Sequence, residues 1–248
     1  MAVRLTAPPG FSDKEGNDMA PGDSQDPQPG VEPVVTSRDE TRAFYNKIAR
    51  VYNTLSARWE APMCGAGLDM LAVREGERVV DLGCGTGRSL PPLVHAAGES
   101  GWVAGVDLSE NMLAETRAFL NRQDMPKAAA LCQADAIHLP FPSGSLDAVF
   151  TSFTLELFDT PEIPVVLAEC RRVLRPGGRA AVVSVSREGK SALVAEVYEW
   201  FHRRFPRFLD CRPIHVRNAL ESAGFEVQHA RMKSMVLPVE IAVAANPD

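Results

Sequence analysis

"VVDLGCGTGRS", residues 79–89, places Gly83, Gly85 and Gly87 directly behind an apolar run that carries a carboxylate, Asp81. A β-type run followed at once by glycines and then a helical run puts backbone N–H groups at the edge of a sheet, where the missing Cβ lets a ligand approach the main chain. Dinucleotide-binding loops follow G-x-G-x-x-G, whereas this one runs G-x-G-x-G, with Arg88 where the third dinucleotide glycine would stand. Asp81 adds a second discriminator, because a carboxylate beside the loop repels a pyrophosphate and attracts an ammonium group. The loop therefore reads as a site for a ligand without a phosphate.

Outward from the loop, short β-type runs alternate with helical ones, the pattern of a parallel sheet covered by helices on both faces. "RVVDL" is the first strand, "WVAGVDL" the second, "ALCQADA" the third, "LDAVFTSF" the fourth and "GRAAVVSVS" the fifth. A helix over residues 162–174 leads into the fifth strand and is stopped by Pro176. The closing "GFEVQHARMKSMVLPVEIAVA" holds two β-type runs with no helix between them, so they pair antiparallel, since a parallel crossover needs a longer connection. The expected fold is α/β, a Rossmann-like doubly wound seven-stranded sheet in the order 3-2-1-4-5-7-6 with strand 7 antiparallel.

Before the loop, "SRDETRAFYNKIARVYNTL" spaces Phe44, Ile48, Val51, Tyr52 and Leu55 at three and four, with Ser37 and Glu40 set as a capping pair. A second helix is expected over residues 65–73. Residues 1–36 are rich in Pro, Gly, Asp and Ser and lack apolar periodicity, so they are expected to form a disordered tail. The remainder, 37–248, reads as one domain whose residues 37–74 form a helical lid.

The 248 residues carry a net charge of -6, which gives no general attraction for nucleic acid or an anionic membrane. Cys64, Cys84, Cys132, Cys170 and Cys211 are odd in number and form no CxxC pair, so neither a disulfide framework nor a metal site is expected, and a reducing cytoplasm fits. No apolar run approaches the roughly 18–20 residues of a membrane span, and no signal sequence is expected.

Four motifs in order, "VVDLGCGTG", "VAGVDLSENML", "ADAIHLPFPSGSLDAVF" and "VLRPGGR", resemble those of class I S-adenosylmethionine-dependent methyltransferases, most closely the ubiquinone/menaquinone-biosynthesis-like branch. The resemblance implies S-adenosyl-L-methionine as cofactor. It implies that Gly83, Cys84, Gly85 and Gly87, with Asp81 nearby, accommodate its methionine part, and that Asp107 accepts both ribose hydroxyls, Ser109 being better placed as the helix cap. Leu108 and Met112 would flank the adenine, Asp135 and Ala136 would recognise its amino edge, and Ser152 and Phe153 would line the methionine side. Tyr45 and Tyr52 resemble aromatics that fold over the cofactor.

The stretch "TSFTLELFD" departs from the quinone-methylating enzymes, which carry Asn and Arg there, and this leaves the acceptor open. Glu156 is expected to face the substrate, and residues 198–220, with His202, His215 and five arginines, form a candidate lid or anion patch. Glu156, His202 and His215 are the candidate bases. The expected reaction is methyl transfer to a small, apolar, quinone-like or lipid-like acceptor. Two alternatives stand beside it: an NAD-dependent oxidoreductase, and a non-catalytic S-adenosylmethionine-binding regulatory protein.

Overall fold

The computed structural model describes residues 31, 37–55, 57–126, 128–188, 212–234 and 237–247. The chain opens with α1 (Arg38–Leu55) and α2 (Ala57–Leu71). Ser37 and Glu40 cap α1 reciprocally: the Ser37 N–H donates to Glu40 Oε2 at 2.8 Å and the Glu40 N–H to Ser37 Oγ at 3.4 Å. The second helix begins earlier than the sequence pattern suggested, running through Pro62.

The sheet is built from β1 (Arg78–Leu82), β2 (Trp102–Asp107), β3 (Ala130–Gln133), β4 (Leu146–Ser152), β5 (Leu174–Val185), β6 (Glu226–Ser234) and β7 (Pro238–Ala245). Its order is β3-β2-β1-β4-β5-β7-β6. The first five strands are mutually parallel, while β7 runs antiparallel to both of its neighbours. This is the expected topology, and its cause is visible in the chain: only residues 235–237 separate β6 from β7 in sequence, too few for a parallel crossover.

Among the described residues, α3 (Leu90–Ala97), α4 (Glu110–Arg122), α5 (Ile163–Val173) and α6 (Val216–Ser222) also cover the sheet. Strand alternation divides the core. Val80, Leu82, Val149 and Val182 face Val166, Leu167 and Cys170 of α5 and Val216 and Leu220 of α6. Their neighbours Val79, Ala148, Phe150 and Val183 face the other way, toward Leu71, Leu90, Leu93 and Leu120 from α2, α3 and α4. Val31, inside the stretch expected to be a tail, is half-buried against the first of these cores.

A strand boundary differs as well. The fifth strand was expected to start after the Pro176–Gly177 turn, yet β5 starts at Leu174, which pairs with Leu146 before a register shift that reaches Ala148. The turn is thus a bulge inside the strand, held by mutual bonds with the C-terminal segment: Gly177 N–H to Asn246 O at 2.9 Å and Asn246 N–H to Gly178 O at 2.7 Å. No helix among the described residues is long and apolar enough to cross a membrane.

Candidate cofactor and acceptor site

The parallel strands end together at one edge of the sheet, where ligands bind in open α/β folds. There the β1–α3 loop turns away through Gly83 and Gly85, both at positive φ of 71° and 52°. The two differ in surroundings. A Cβ on Gly83 would meet Thr154 Oγ1 at 2.2 Å, whereas one on Gly85 would meet nothing within 4 Å. Gly85 therefore presents bare backbone to open space, and that space is a cavity of about 280 Å³.

Asp107, at the end of β2, lines this cavity and accepts two backbone bonds, from Gly85 N–H at 2.9 Å and Ser109 N–H at 2.8 Å. Burial pushes its carboxyl up to about 6 against the lowering effect of those two bonds. The side chain is only partly exposed. Ser109 is the α4 cap, its Oγ accepting from Met112 N–H at 3.1 Å, which leaves Asp107 for a ligand.

Leu108, Met112, Asp135, Ala136, Ser152, Phe153, Gly83 and Tyr45 join Gly85 and Asp107 on the cavity wall. Phe153 holds a positive φ of 51° and is 7% exposed, a strained backbone placed directly at the site. Its N–H is fixed by Val183 O at 2.8 Å.

Three expected contacts lie off that wall. Cys84 is buried beneath the loop, with its N–H on Val106 O at 3.0 Å. Gly87 is approached by α4, so that a Cβ there would sit 2.5 Å from Thr116 Cγ2. Both let the loop pack tightly and neither touches the cavity. Asp81 is 1% exposed and takes a bond from Ser89 Oγ on Oδ2, while Oδ1 has no hydrogen-bond partner among the described residues. Desolvation, with Asp107 as a further repulsive charge, raises Asp81 to about 7. Its influence on a ligand is thus a field from below the loop.

The candidate bases fare differently from expectation. Glu156 sits in a 3-10 turn (Leu155–Leu157), fully buried, and turns toward β5: Ser184 Oγ donates to it at 2.9 Å and Val185 N–H at 3.3 Å. It does not line the cavity, because those bonds hold it against the sheet. Desolvation raises its carboxyl to about 7. His215, half-buried just before α6, lies with Nδ1 3.6 Å from Glu188 Oε1 and likewise off the cavity wall. His202 and the Tyr52 side chain lie outside the described residues.

From the candidate lid, Arg212 is buried and braces the loop after β4, donating through Nη1 to Thr160 Oγ1 at 2.9 Å and through Nη2 to Phe158 O. That loop supplies Leu157, Phe158, Asp159 and Glu162 to the wall, and α1 with its preceding cap residue supplies Ser37, Arg38, Thr41 and Arg42. None of these was expected from the sequence. The signal available was the helical spacing of Arg38, Thr41 and Tyr45, which sets them on one face of α1. The helix is tied over the site by Asn46, whose Oδ1 accepts from Ser109 Oγ at 2.5 Å and Asn111 N–H at 3.2 Å.

A family model described as "Methyltransferase domain" matches residues 79–178. The chain is 31% identical over 161 residues to the 2-phytyl-1,4-naphtoquinone methyltransferase of Nostoc punctiforme, covering 63% of this chain and 69% of that one. The chain belongs to the methyltransferases. A methyltransferase with this loop and this sheet order is S-adenosylmethionine-dependent, as is the solved Aquifex aeolicus enzyme described as a SAM dependent methyltransferase, at 25% identity and a TM-score of 0.59 over 81% of this chain and 97% of that one. The nocamycin O-methyltransferase of Saccharothrix syringae is 28% identical over 200 residues, 73% of this chain and 70% of its own.

The residues present fit S-adenosylmethionine. Gly85 offers unobstructed backbone, Asp107 is a carboxylate suited to a diol, and Val106, Leu108, Met112 and Ala136 give apolar surface beside it. Asp81, buried beneath the loop, acts on an ammonium group above it only through its field. Among the lining side chains, the carboxylates of Asp107, Asp135, Asp159 and Glu162 outnumber the guanidiniums of Arg38 and Arg42, a balance that favours a cation.

Proposed function

We propose that the methyltransferase transfers a methyl group to a small, largely apolar acceptor, quinone-like or lipid-like, and works in the cytoplasm. The observation that carries this is the continuation of the cavity wall from Phe153 at the cofactor end to the apolar surfaces of Leu157, Phe158 and Tyr45. The naphthoquinone-methylating relative supports the same acceptor class.

Bound S-adenosylmethionine supplies a methyl group on a positively charged sulfur, which a nucleophile displaces in line. Gly83 and Gly85 would bring the main chain against the methionine part, Asp107 would orient the ribose, and Leu108, Met112 and Ala136 would hold the adenine near Asp135. Tyr45 and its helix exclude water from above. Alignment of acceptor and methyl then carries most of the rate, and no protein base is required when the acceptor is an acidic phenol or enol. Glu156 accordingly acts on β5 through Ser184 and Val185 and takes no proton from the acceptor.

The test is incubation of the full chain with methyl-labelled S-adenosylmethionine and a panel of prenylated 1,4-naphthoquinols, phenols, a protein mixture and transfer RNA. Label is expected in the organic extract with one of the apolar acceptors. Label only in protein or RNA overturns the acceptor class while leaving the cofactor assignment intact.

A further inference from the structure

Arg38 begins α1, and its guanidinium gathers three side chains that the chain delivers from far away. Nη1 donates to Asp135 Oδ1, Nη2 and Nε reach Glu162 Oε1 at 2.9 Å and 3.3 Å, and the guanidinium carbon lies 5.3 Å from the centre of the Phe158 ring. All four residues line the cavity. A planar fork can pair with two carboxylates and stack on an aromatic ring at once, which an ammonium group cannot.

The second bond to Asp135 comes from Ile137 N–H at 3.2 Å and also ends on Oδ1. Among the described residues both bonds therefore fall on one oxygen, and Oδ2 is the one available to a ligand donor. A carboxylate on the short turn after β3 has several rotamers, and a charged donor on α1, itself held in place by its pair with Glu162, selects one of them. Arg38 is not alone in keeping α1 in place. Asn46 ties the helix to the start of α4 through Ser109 and Asn111, including a bond from Asn111 Nδ2 to Asn46 O at 3.0 Å.

We propose that Arg38 is a positioning residue for adenine recognition: it pins Asp135 through Oδ1 so that Oδ2 accepts the exocyclic amino group of the cofactor, an inference that rests on the placement of adenine beside Asp135. The lid helix thereby takes part in choosing the base. A cofactor analogue with a carbonyl oxygen in place of that amino group gains nothing from the arrangement and meets two acceptors face to face.

The experiment is calorimetric titration of the full chain with S-adenosylhomocysteine and with S-inosylhomocysteine, its hypoxanthine counterpart, beside melting of the ligand-free proteins. The wild type should prefer the adenine compound. Arg38→Ala should weaken the adenine compound on the order of 10-fold, the worth of one bond to a charged group, and leave the hypoxanthine compound nearly unchanged, so that the preference collapses. Arg38→Lys, which keeps the charge and loses the fork, should recover part of it, and serves alone should Arg38→Ala fail to fold. Equal weakening of both compounds makes Arg38 a lid contact only and overturns the proposal. Asp135→Ala separates the underlying assignment: an unchanged preference in that variant removes adenine from Asp135, and the role of Arg38 with it, whereas a collapse in Asp135→Ala without one in the Arg38 variants refutes only the latter.

Discussion

The Asp107→Ala substitution tests the cofactor site most directly. In the ligand-free chain the carboxylate accepts the Gly85 and Ser109 N–H groups, so its loss strands two backbone donors at the cavity's edge. Each costs about 1 kcal/mol at partial burial, offset in part because a carboxylate that burial pushes up to about 6 is itself under strain at neutral pH. A net loss of about 1–2 kcal/mol corresponds to a melting temperature lower by roughly 2–8 °C for a chain of this size. With cofactor the same substitution also removes two charge-assisted bonds to the ribose and loosens the Gly85 backbone. Affinity for S-adenosylmethionine should therefore fall by roughly 2–4 kcal/mol, about 30- to 1000-fold. Calorimetric titration gives the affinity and ligand-free melting gives the stability. A variant that melts lower and still binds S-adenosylmethionine as tightly as the wild type would refute the reasoning, since Asp107 would then serve the loop alone.

Three other outcomes can be checked with the same two measurements. Gly85→Ala should cost about 1 kcal/mol in stability for its positive φ yet abolish cofactor binding, because its Cβ enters open cavity space, whereas Gly83→Ala should destabilise more through the collision with Thr154; equal effects on affinity and melting in both variants would contradict this. Asn246→Ala should lower stability by roughly 2–3 kcal/mol, since its Nδ2 serves Leu174 O at 3.1 Å and the Arg171 and Arg175 carbonyls at 3.3 Å, and should leave affinity unchanged; a fall in affinity would place that bulge in the site. Asp81, Asp107 and Glu156 hold protons to about 7, 6 and 7 in the folded chain but release them near 4 when unfolded, so the ligand-free protein should lose stability as pH rises from about 4.5 through 7, and Glu156→Gln should flatten that slope; an unaltered slope would show that Glu156 is already ionised in the fold.

The sheet was legible because its determinants are local. Each strand announces itself within a few residues, and the reversal of β7 follows from the missing helix before it. The place of Gly83, Gly85 and Asp107 on the cavity wall was legible for the same reason, since a loop that bares its backbone at the sheet edge demands particular residue types at fixed spacing. What escaped was anything decided by side-chain direction across the fold. Glu156 stands two residues from Thr154, and its neighbours in sequence place it at the site, but the 3-10 turn rotates it onto β5, where Ser184 and Val185 supply its bonds. Cys84 and Gly87 carry the right spacing and answer to packing against β2 and α4.

Arg38 is the opposite case, a residue with no local signature whose partners lie 97 and 124 positions away. Helical periodicity identified the apolar stripe of α1, and that stripe accounts for the helix without giving Arg38 any task. Only when β3 and α5 bring Asp135 and Glu162 to the same edge does the guanidinium acquire partners, and they are partners on the cavity wall. The Arg38 pairs on the polar face of the lid helix are part-buried, so they contribute something to the fold, yet pairs of this kind add only modestly to stability. A double ion pair on that face, with a ring stacked against it, is therefore better explained by what it does to Asp135 in the presence of ligand than by what it adds to the fold. Its effect should accordingly be larger in the choice between adenine and hypoxanthine than in the melting temperature.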